Sequence, residues 1–89
     1  MAVHSVAYDL LVPGKNYSAL IQRLESFDSF HAQKSLWFVN VNATPVDLRE
    51  DLKQFVDGND KLFVSQLFKN CWAAWNMMPA GEWLMARGL

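Results

Sequence analysis

Residues 3–10 read as a strand that ends at a carboxylate and turns at once into a helix. Val6, Tyr8 and Leu10 alternate onto one face with His4, while Val3, Ser5, Ala7 and Asp9 fall on the other. The first face is large and apolar, and the second is small enough for a helix or another sheet to approach closely. Pro13-Gly14 marks the turn. The period then changes: Tyr17, Leu20, Ile21, Leu24 and Phe27 make a single helical stripe, with Ser18, Gln22, Arg23 and Glu25 on the wet side. Asn16 stands where an N-cap belongs.

After a break at Asp28-Ser29, residues 29–33 and 35–41 read as two strands forming a hairpin or one bent ribbon. In the second, Trp37, Val39 and Val41 oppose Leu36 and Phe38, so both faces are expected to be covered. Thr44-Pro45-Val46-Asp47 is a helix start: Thr caps, Pro takes the first helical position, and Asp47 sits where the helix dipole favours an anion. Leu48, Leu52, Phe55 and Val56 supply that helix's apolar stripe, and Gly58 is expected as its left-handed C-cap. Residues 61–68 read as a strand with Leu62 and Val64 against Phe63 and Leu67. Beyond it lies a tail dense in Trp72, Trp75, Met77, Met78, Trp83 and Met85, interrupted by Pro79 and Gly81. Residues 72–76 are a candidate fifth strand, the rest a short helix or an ordered arm.

The resulting order, strand-helix-strand-strand-helix-strand, is the α+β, ferredoxin-like βαββαβ plan, an antiparallel sheet with two helices on one face. Residues 1–78 are expected to form that domain. Residues 79–89 are expected as an arm packed on the domain or on a dimer mate.

Eighty-nine residues suffice for one domain. A chain of this size buries only roughly 60% of its unfolded surface, so a lone subunit has little stability to spare. Four Trp and six Phe exceed what one small core holds, which points to a second buried surface, most simply between two copies. The formal net charge is −1, with no basic stripe of the kind phosphate binding needs. Nucleic acid is therefore disfavoured as a partner. With a single cysteine, Cys71, there is no intrachain disulfide, and a reducing compartment is expected. No signal-peptide pattern and no apolar run near ~20 residues is present, so no membrane span and a cytoplasmic location are expected.

The ordered set Tyr8-Asp9-Leu10, Pro13-Gly14-Lys15-Asn16-Tyr17, Leu20-Ile21, Ser35-Leu36-Trp37, Leu48-Arg49-Glu50-Asp51-Leu52, Asn59-Asp60-Lys61-Leu62 and Ala74-Trp75 resembles small bacterial SinR-like proteins. These are relatives of the second CRISPR-associated (Cas) protein and, more distantly, of virulence-associated protein D. The resemblance implies a ferredoxin-like homodimer in which an Asp at the end of the first strand of each subunit faces its mate. In some Cas relatives that Asp supports metal-dependent cleavage of RNA or DNA, while others act as scaffolds. The matching residue here is Asp9. The chain departs from the Cas relatives in lacking their wealth of Arg and Lys and in carrying the Trp-rich tail.

Two readings of Asp9 follow. It is a catalytic, metal-holding carboxylate, one per subunit, gripping Mg or Mn only across a dimer. Or it accepts hydrogen bonds from the backbone of the turn at residues 11–14. His4 and His31 lie on different segments without ligand spacing, and Cys71 lacks a CxxC partner and is expected to be a buried thiol. Asp57, Asn59 and Asp60 look like part of a calcium loop but lack its length and terminal Glu, so they are turn and cap residues. The tail could stack bases, yet without interleaved cations Trp72, Trp75, Met77 and Trp83 are better read as a dimer interface. The leading expectation is a homodimeric interaction or scaffold protein without strong catalytic activity, with a protein partner in a defence or toxin–antitoxin setting. The alternative is a weak metal-dependent endonuclease built on paired Asp9 residues.

Overall fold

The computed structural model describes residues 1–11 and 17–89. Its elements are β1 (Ala2–Asp9), α1 (Ser18–Glu25), β2 (Asp28–Gln33), β3 (Leu36–Val41), α2 (Pro45–Lys53), β4 (Lys61–Gln66) and α3 (Met78–Met85). The four strands form one sheet in the order β2-β3-β1-β4, and every neighbouring pair is antiparallel. The architecture is α+β. β2 and β3 form the expected hairpin.

Register follows from the alternation in β1. Val6 lies between Trp37 of β3 and Val64 of β4, and Ala7 lies between Leu36 and Phe63. The Val6 side of the sheet carries the main core, where Leu20 and Leu24 of α1 and Leu48 and Leu52 of α2 pack on Val6, Trp37 and Val39. Fully burying each leucine contributes about 1.5–3 kcal/mol. The two helices are further joined by a forked ion pair, in which Arg23 donates to both carboxylate oxygens of Asp51 at 2.9 and 2.6 Å.

The second helix starts as its sequence dictates. Thr44 is extended (φ −77°, ψ 162°), its hydroxyl accepts from the Asp47 amide at 3.1 Å, and Pro45 opens the helix. Its end differs from expectation. Among the described glycines only Gly88 has a positive φ, so Gly58 is not a left-handed cap. The helix instead unwinds through short-range bonds, Phe55 to Leu52 and Val56 to Lys53. Asp60 and Asp57 then clamp the turn through the Asp57 and Asn59 amides, so no left-handed residue is required. The Pro13-Gly14 turn and the Asn16 cap lie outside the described residues; at α1 the N-cap is Tyr17.

The opposite sheet face holds a second, smaller core. Ala80 and Leu84 of α3 seal Val3 and Phe38, with Phe30, Leu67, Trp72 and Trp83 around them. Part of the aromatic surplus is thus absorbed by the chain's own third helix. Residues 72–76 do not form the expected strand. Asn70 (φ 65°) and Asn76 (φ 61°) take the left-handed conformation at either end of that stretch, as Asn readily can. Between them the Trp72 indole turns inward to donate to the Leu89 carbonyl at 3.2 Å.

Arg87 fastens α3 to the sheet. It donates to both Asp28 carboxylate oxygens at 2.9 and 2.6 Å and to the Trp83 carbonyl, with its guanidinium 3.7 Å from the centroid of the Trp83 ring. Hydrogen bonds from Arg87 and Asn40 hold the Asp28 carboxyl below its ordinary value of 3.8. Asp51 is lowered in the same way by Arg23. A depressed carboxyl pKa contributes stability that is present above the unfolded value and is lost as pH falls through the folded one. Thermal melts are therefore expected to drop on acidification below about pH 4, and Asp28→Asn should flatten part of that drop. An Asp28→Asn curve parallel to wild type would show that the clamp adds no acid sensitivity.

Candidate functional site

The half of the second sheet face over β1 and β4 is left open by α3. Ala7 and Phe63 stand side by side there, with Asp9 and Lys61 one step further along at the end of both strands. These four, with Tyr8 and Leu62, border a shallow concavity of about 280 Å³. Phe63 is 66% exposed, a high value for an aromatic ring in the middle of a strand. Among the described residues β4 is also an edge of the sheet, with no strand beside its outer backbone groups.

Asp9 is exposed and makes no hydrogen bond or ion pair among the described residues. The backbone bond that its turn-capping reading requires at Leu11 goes elsewhere: the Leu11 amide donates to Asp60 Oδ1 at 2.8 Å. Residues 12–14, the rest of that turn, lie outside the described residues. Asp60 also accepts from the Tyr17 hydroxyl at 2.9 Å and the Asp57 amide at 2.7 Å. One carboxylate thereby ties the end of β1, the start of α1 and the α2–β4 turn together. The sequence marks Asp60 as a turn residue, which it is, but nothing local signals partners 49 and 43 positions away.

The remaining candidates separate in space. His4 is fully buried on the sheet face opposite Asp9 and donates through Nε2 to the Ala43 carbonyl at 2.8 Å. His31 is exposed and stacks on Trp37, the rings 4.3 Å apart and 10° from parallel. Cys71 is exposed, against the expectation of a buried thiol: its amide closes a turn onto Phe68 that carries the chain off the sheet edge. Among the described residues no three His, Cys, Asp or Glu side chains converge as a metal-binding group. No helix among them is long and apolar enough to cross a membrane.

Of the tail residues read as an interface, three pack on the chain's own sheet. Trp72 and Met77 are half-buried in the second core, and the Trp83 ring lies 6.2 Å from that of Phe30. Trp75 is the exception, 88% exposed in the loop before α3. No protein-family model matches the chain, and no solved structure matches it.

Proposed function

We propose that the chain is a ferredoxin-like module that pairs with a second copy through the open β1–β4 half of its sheet. The pair serves as a non-catalytic scaffold for a protein partner, in the defence or toxin–antitoxin setting suggested by the resemblance to Cas proteins. The strand order, with both crossover helices on one face, supports the fold assignment. One observation carries the pairing: Phe63 is exposed beside Ala7 on a sheet face whose other half is already covered. The charges around it suit a two-fold arrangement. Asp9 and Lys61 sit side by side one step beyond the ring with opposite signs, so a two-fold contact would set each against its opposite on the second copy.

A second reading rests on Asp9, whose carboxylate is exposed and unengaged among the described residues on that same face. Pairing there would bring two Asp9 side chains to one interface, where they could hold Mg or Mn and activate water against a phosphodiester.

Sedimentation of wild type and Phe63→Asp tests the pairing. The wild type is expected to be dimeric, and the variant monomeric with an unchanged circular dichroism spectrum, because the new carboxylates would face each other at the centre of the contact. A monomeric wild type overturns the proposal. Incubating wild type and Asp9→Ala with RNA and DNA in Mg²⁺, Mn²⁺ or EDTA separates the two functions. Metal-dependent cleavage that disappears only in the variant would replace the scaffold by an endonuclease.

A further inference from the structure

We infer that the cleft between the 71–77 loop, α3 and the sheet is a binding site for a small, neutral, largely aromatic molecule bearing one hydroxyl or comparable polar group. The cleft encloses about 290 Å³. At protein packing density that admits a ligand of about 10 to 15 non-hydrogen atoms. Phe38 and Leu36 form its floor, Leu84 one flank, and Trp72, Met77 and Ala74 the loop side. Among the described residues no charged side chain borders it, so a charged ligand would lose its hydration without compensation.

Among the described residues at its wall the one side-chain hydroxyl is that of Ser5, whose Oγ lies 2.8 Å from Ser65 Oγ on the neighbouring strand, while the Trp72 N–H is taken up by the Leu89 carbonyl. Ser5 Oγ also donates to the Ser65 carbonyl at 3.5 Å, so what it offers the cleft is an acceptor lone pair, enough to orient one ligand hydroxyl that donates to it. The Trp72 wall is held rigid by its bond to the Leu89 carbonyl, and the loop's ends are set by left-handed Asn70 and Asn76.

Gly81 leaves the volume open. It is buried inside α3, where glycine is a poor helix former compared with alanine. Close packing does not demand it: a Cβ built there would meet only Met78 Sδ, at 3.9 Å. Gly81 borders the cleft, and a larger side chain at that position would occupy it.

Titration of the full chain with 2-naphthol and with naphthalene, followed by amide chemical shifts, tests the site. Saturable one-to-one binding of 2-naphthol is expected, with shifts centred on Ser5, Phe38, Trp72 and Gly81. It should be about fivefold tighter than naphthalene, a preference that Ser5→Ala removes. Gly81→Leu should weaken binding about tenfold or more by filling the cleft. Phe63→Asp should leave it unchanged, which separates this site from the pairing surface. If Gly81→Leu fails to fold, the Ser5→Ala comparison decides. Absence of saturation, shifts centred on Phe63, binding lost with Phe63→Asp, or an unaltered preference in Ser5→Ala would overturn the inference.

Discussion

Leu52→Ala is expected to destabilise the protein by about 2 to 5 kcal/mol, the cost of losing a leucine from a filled core. Leu52 is fully buried and joins α2 to the main core beside Leu24 and Val39. Total stability for a domain of this kind is about 5–15 kcal/mol, so one methyl-rich side chain carries a large share of it. The melting temperature should fall by about 4–8 °C for every kcal/mol lost. Leu84→Ala makes a useful companion. Leu84 is equally buried, but it borders the 290 Å³ cleft and so has fewer packed neighbours to lose. Its cost should lie near the lower bound, about 2 kcal/mol. Urea unfolding of both variants checks the order, and a larger effect at Leu84 would mean that the second core, rather than the first, dominates stability.

Ending the chain at Met77 is expected to abolish cooperative folding or to drive aggregation. The deletion removes Ala80, Trp83 and Leu84 from above Val3, Phe30 and Phe38, and with them the Arg87–Asp28 clamp. Uncovering three large apolar side chains costs on the order of 5 kcal/mol, comparable with the whole stability of a small domain. The newly open sheet would present Phe30 and Phe38 on the same face as Phe63. Sedimentation and near-ultraviolet circular dichroism decide the matter. A soluble truncated chain with a sharp, unshifted melt would show that α3 is an appendage and that β1–β4 with α1 and α2 fold alone.

Tertiary structure decided the surroundings of the candidate residues. Asp9, singled out at the end of the first strand, is exposed on the open sheet face with Lys61 and Phe63. Asp60 turned out to bind the Leu11 amide that Asp9 was to hold, and Cys71 came out exposed. Their surroundings depend on chain segments that meet only after folding.

Local periodicity was enough to place β1 and its two faces, the stripes of α1 and α2, the Thr44 cap and the sidedness of Trp37, Val39 and Val41. In each case the information is carried within a few residues, because a strand repeats every second position and a helix every three to four. The tail was different. Trp72, Trp75, Met77 and Trp83 are apolar enough to serve a strand, a helix or an interface, and no spacing among them selects one. Tertiary structure decided: the sheet's second face offered Val3, Phe30 and Phe38 for burial, and α3 reached them with Ala80, Trp83 and Leu84. A sequence pattern states which side of an element is apolar, whereas what covers that side depends on where a distant segment comes to lie.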